Sequence, residues 1–69
     1  MIAKLRGIVE EIGQDEVIID VNGVGYLVFC SSRTISKINK INASVSLFIV
    51  THVREDHIHL YGFNDKLEK

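Results

Sequence analysis

A chain of 69 residues with 46% hydrophobic content supports one small core and leaves no material for a second. Eight basic and nine acidic side chains give a formal net charge of −1, which excludes a chain that holds phosphate through bulk positive charge. Any contact with nucleic acid must come from a local basic cluster or from a larger basic assembly. The single cysteine, Cys30, excludes an internal disulfide, and no apolar run approaches the length that spans a bilayer; a soluble cytoplasmic protein is the expectation. No proline is present and the five glycines are scattered, so neither a linker nor a low-complexity segment is indicated.

Met1, Ala3, Leu5 and Val9 fall on one face of a first strand, with Lys4, Arg6 and Glu10 on the other. Gly7 interrupts the apolar row and predicts a bend or bulge. The polar run Gly13-Gln14-Asp15-Glu16 supplies a turn. Val17, Ile19 and Val21 then alternate up to Asn22-Gly23, after which Val24, Tyr26 and Val28 resume the pattern. Asn-Gly between apolar runs is the strongest short hairpin signal. A two-residue loop sets Val21 opposite Val24, Ile19 opposite Tyr26 and Val17 opposite Val28, all on one face. A slip of one residue would turn the whole set toward water, so the register is fixed. Ile18, Leu27 and Phe29 take the reverse face and also need partial cover.

Ser31-Ser32 offers a hydroxyl to the first turn of a short helix. Ile35 and Ile38 press one side of it against the sheet, and Arg33, Lys37 and Lys40 form a basic stripe that reads as a solvated face. Residues 39–44 are a polar connection. Val45, Leu47, Ile49, Thr51 and Val53 alternate along a fourth strand, and Ile58 to Phe63 forms a fifth after the charged tip Arg54-Glu55-Asp56-His57. Strands in this order, with a helix between the third and fourth, predict an all-β barrel of the OB type over residues 1–63, five-stranded or six-stranded; an SH3-like barrel is the nearest rival. Residues 64–69 read as the start of a connecting helix that continues past the sequence, with Asn64 as its cap.

Few residues suggest chemistry. Glu55 and Asp56 are two adjacent carboxylates at an exposed turn, where acidic residues are common; no further oxygen ligands or catalytic partners accompany them. His57 and His59 share a strand face and with Glu55 could meet a zinc ion, but surface polar groups are the simpler reading. Tyr61 and Phe63 could stack on bases or belong to a core or interface. Cys30 reads as a small apolar residue ending a strand. There is no glycine-rich phosphate loop, so the chain itself is expected to hydrolyse no nucleotide; neither a metal nor a cofactor is expected.

Three stretches carry a family resemblance. Val-Arg-Glu-Asp at 53–56 followed by Leu-Tyr-Gly-Phe-Asn at 60–64, Met-Ile-Ala-Lys-Leu-Arg-Gly at 1–7, and Val-Asn-Gly-Val-Gly-Tyr at 21–26 resemble the first domain of the RuvA family of Holliday-junction-binding proteins. The resemblance implies a non-catalytic DNA-binding subunit of a branch-migration complex in homologous recombination and DNA repair. It implies a homotetramer that binds four-way junction DNA, loads the RuvB motor ATPase through a domain absent here, and works beside the RuvC resolvase. It further implies that Glu55 and Asp56 form an acidic pin at the junction centre. A carboxylate about 4–8 Å from a phosphate is disfavoured by on the order of 2–4 kcal/mol at an effective dielectric near 20, so the pin keeps strands apart and penalises plain duplex. Arg54 beside the pin, and Lys4 and Arg6 on the outer face of the first strand, are the candidate DNA-facing cations. Two rivals remain from other classes: a generic single-strand-binding OB module and a purely structural or protein-binding barrel.

Overall fold

The computed structural model describes residues 1–64. The chain order is β1 (Lys4–Ile12), β2 (Glu16–Val21), β3 (Val24–Cys30), α1 (Ser32–Ile38), β4 (Ser44–Val53) and β5 (Ile58–Phe63). The strands close into one barrel in the order β1-β2-β3-β5-β4. A closed five-stranded barrel with its helix between β3 and β4 is the OB arrangement, and closure leaves no long free edge. The helix expected from Asn64 onward lies outside the described residues.

Local chemistry explains the β2–β3 hairpin. Asn22 and Gly23 take φ of 52° and 89°, the left-handed pair that a type I′ turn requires. The register is the expected one: Val21 faces Val24, Ile19 faces Tyr26 and Val17 faces Val28. Val17, Ile19 and Val28 are fully enclosed, whereas Val24 at the hairpin end is exposed.

Strand β1 serves two partners. Residues Lys4 to Ile8 pair with β4 and Ile8 to Ile12 pair with β2, so the strand must coil sharply at its middle. The bulge lies between Val9 and Glu11, not at Gly7. Gly7 does a different job: a Cβ there would meet the Asp20 carbonyl oxygen and lie 2.9 Å from Ile19 Cγ2. Its missing side chain is what lets β1 cross so close to β2. Met1 and Ala3, expected on the core face, are exposed, and only Leu5 and Val9 of that row enter the core.

The core consists of Leu5, Val9, Val17, Ile19, Val28, Cys30, Ile38, Leu47, Ile49 and Leu60. Cys30 is a buried thiol packed at the end of β3, in no disulfide among the described residues. The helix meets the core through Thr34 and Ile38, with Ile35 half-buried beside them. Ser31 caps it, its Oγ accepting from the Thr34 amide at 3.1 Å. Arg33 and Lys37 are exposed on α1, but Lys40 lies beyond the helix end, so the basic stripe is one turn shorter than its spacing suggests. Ser31→Ala removes an acceptor for an amide of the first turn and is expected to cost about 1 kcal/mol; a urea midpoint identical to that of the parent would show that the cap contributes nothing.

Candidate nucleic-acid interface

The β4–β5 ribbon outruns the barrel that carries it. Leu60 to Gly62 bond to β4 on one side and to β3 on the other. The last two rungs, His52 opposite His59 and Val53 opposite Ile58, pair with each other and with no third strand. On the β4 side, support ends at Thr51, whose hydroxyl donates to the Ile2 carbonyl at 2.6 Å and accepts from the Ile2 amide at 3.2 Å. The ribbon therefore extends about 7 Å past its last lateral support before the loop begins. Val53 and Ile58 keep the inward phase of the strand pattern, yet they are 67% and 64% exposed because no barrel lies beneath them.

A four-residue loop closes the ribbon, tied by the Arg54 amide donating to the His57 carbonyl at 2.8 Å. Arg54, Glu55 and Asp56 all stand in solvent. The Asp56 carboxylate accepts from His57 Nδ1 at 2.8 Å. Glu55 and Arg54 form no side-chain ion pair among the described residues. The tip thus holds one carboxylate against an imidazole and a second that faces water.

Below the tip, the outer face of β3, β5 and β4 carries a row of rings. His57 stacks on His59 with centroids 4.1 Å apart at 30°, and His59 meets Phe29 edge-on at 4.9 Å. Tyr61 lies 5.8 Å from Phe29 and 6.3 Å from His52. The bare spacing of His52, His59 and Tyr61 conceals this grouping. The hairpin register reveals it, because a four-residue loop starting at Arg54 forces His52 opposite His59 and Val50 opposite Tyr61. Among the described residues, no group of three His, Cys, Asp or Glu side chains is placed to hold a metal ion.

The candidate cations divide into two sets. Arg54 adjoins the carboxylates. Lys4 and Arg6 are exposed on the same outer sheet face, where they pair with Phe48 and Ser46, and Lys4 Nζ sits 5.8 Å from the Phe48 ring centroid. Arg54 lies six positions along the chain from Phe48, about 20 Å of extended strand. That exceeds twice the Debye length of about 8 Å at physiological salt, so Lys4 and Arg6 do not neutralise the tip.

Fold and site together define a class: a small OB-type barrel whose last hairpin carries a solvent-facing acidic tip beside Arg54, with Lys4 and Arg6 set well away from it. Residues 1–62 match the family model described as the RuvA N terminal domain. The chain belongs to that family. Among its relatives, three proteins named "Holliday junction branch migration complex subunit RuvA" each align over all 69 residues. They come from Methylorubrum populi at 55% identity, Agrobacterium fabrum at 54% and Brucella anthropi at 51%. The match covers 100% of this chain but 33% of the first relative and 34% of the other two, so the chain spans about a third of their length.

Proposed function

We propose that this chain is the junction-centring domain of a Holliday junction branch-migration subunit acting in recombination and repair, with Glu55 and Asp56 as the acidic pin. The observation that carries the reading is the ribbon end: two carboxylates held out beyond the barrel, where a phosphate would meet two negative charges offset by Arg54 alone. Repulsion there is local, because salt screens it within about 8 Å. It selects against duplex lying across the centre and leaves the four diverging arms of a junction undisturbed. Attraction is the task of Arg54 beside the pin and of Lys4 and Arg6 farther along the sheet.

In this reading the domain occupies residues 1–63, and the relatives' additional length supplies most backbone contacts together with the surface for the RuvB ATPase. The subunit is non-catalytic and cytoplasmic; four copies surround one junction, and the RuvC resolvase acts on the same DNA. Among the described residues no helix is long and apolar enough to cross a membrane. A chimera in which residues 1–69 replace the matching third of the Agrobacterium fabrum relative is expected to shift a four-way junction at concentrations that leave single-stranded DNA free. Preference for the single strand would instead identify a generic OB module, and binding to neither would leave a structural barrel. The 69-residue chain alone is expected to bind junctions weakly, and nanomolar binding at physiological salt would contradict the division of labour between domains.

A further inference from the structure

Among the described residues, His57 is the one whose side chain pairs with a carboxylate of the ribbon end, that of Asp56. Its ring is fixed from two sides: Nδ1 lies 2.8 Å from Asp56 Oδ1, and its plane stacks 4.1 Å from His59. His59 is braced in turn by Phe29 at 4.9 Å and by the Tyr61 hydroxyl 3.4 Å from its Nδ1. The imidazole is therefore held by sheet residues, while the carboxylate it grips belongs to the loop. Glu55, its neighbour in the loop, has no such partner among the described residues.

We propose that His57 is a positioning residue that sets the orientation and the effective charge of the pin, making the tip a pH-responsive repellent for duplex DNA. This rests on the reading of Glu55 and Asp56 as a pin. With a neutral imidazole, Nδ1–H donates to Asp56 and the tip keeps both negative charges, offset by Arg54 alone. When the imidazole takes up a proton, a positive charge sits against Asp56 and the tip loses about one unit of repulsion. Histidine is the side chain whose charge changes in the physiological range, which makes this pair responsive where a lysine partner would be constant. The groups in contact with the His57 ring are Asp56 in the loop and His59 on β5; Glu55 and Arg54 share its loop, Tyr61 touches His59, and His52 lies opposite His59 on β4. Protonation of His52 or His59 also adds positive charge, so the test must subtract their contribution.

Two measurements separate the clamp from its effect on DNA. In the 69-residue chain, carbon-detected NMR is expected to show the Asp56 carboxylate responding in step with the His57 ring as the pH is lowered from roughly 8 to 6; in His57→Asn, which retains His52 and His59, that step should vanish. A step that persists in His57→Asn, or none in the parent, overturns the proposal. In the chimera, duplex affinity relative to junction affinity is expected to rise about two- to fivefold over the same range, the size expected of an exposed ion pair, and to rise less in His57→Asn. An equal rise in both proteins overturns the proposal while leaving the pin intact, provided Glu55→Gln with Asp56→Asn still strengthens duplex binding. If that double variant alters nothing at any pH, the pin reading fails and the proposal fails with it.

Discussion

Replacing Glu55 by Gln together with Asp56 by Asn in the chimera is expected to raise affinity for plain duplex about tenfold at low salt, with little gain for the four-way junction. The size follows from exposure. Both side chains stand in water, so each contributes nearer the high-dielectric limit of about 1 kcal/mol against a close phosphate than the several kcal/mol of a desolvated pair. Two such contributions, partly shared because the carboxylates are adjacent, amount to about a factor of ten. The gain should shrink as salt rises, because repulsion between exposed charges is screened. Competition binding with labelled duplex at two ionic strengths checks both statements. Duplex affinity that is unchanged at low salt would remove the repulsion argument altogether.

The second large effect concerns the barrel. Gly7→Ala is expected to destabilise the domain by about 3 kcal/mol, the upper part of the range for forcing an extra methyl group into a filled space. The obstacle is backbone, the Asp20 carbonyl oxygen, which cannot swing aside as a flexible side chain would. A domain of this length has about 3–10 kcal/mol in total, so the variant should lose between about a third and all of its stability. Gly25→Ala is the matched control: its Cβ would meet only Ile18 Cγ2, at 3.2 Å, and a cost below about 1 kcal/mol is expected. Urea unfolding of both variants decides the matter, and equal stabilities would mean that β1 does not need its close approach to β2.

What could be read from the sequence follows how local each determinant is. The β2–β3 hairpin was legible because turn chemistry and apolar alternation specify the same register within twelve residues, from Val17 to Val28. The cap at Ser31 was legible for the same reason. The bulge between Val9 and Glu11 was not, since it arises where β1 passes from pairing with β4 to pairing with β2, and a single strand's pattern does not reveal two partners. Closure through the parallel contact of Val28 to Cys30 with Leu60 to Gly62 joins residues 32 positions apart and leaves a mark only at Gly62, where a Cβ would come 2.6 Å from Val28 Cγ1.

Within the candidate site, the exposure of Arg54, Glu55 and Asp56 was readable from charge alone. The inward phase of Val53 was readable too, but not its exposure, which depends on where the barrel beneath it stops. The grip of His57 on Asp56 depends on side-chain rotamers in a loop, and no sequence pattern encodes those. The distance of Lys4 and Arg6 from the tip required the β1–β4 register, which sets them beside Phe48 and Ser46 at the far end of the ribbon.

The two hydrogen bonds between Thr51 and Ile2 have a mechanical meaning. A ribbon gripped at one rung and free beyond it is a cantilever, and Thr51 is its fulcrum. Sideways load on the loop would be delivered through that hydroxyl to the backbone of Ile2. Residues 1–3 resemble dispensable overhang, yet they are the abutment against which the lever bears, and trimming them would slacken the far end of the ribbon and strip Ile2 from its packing against the core.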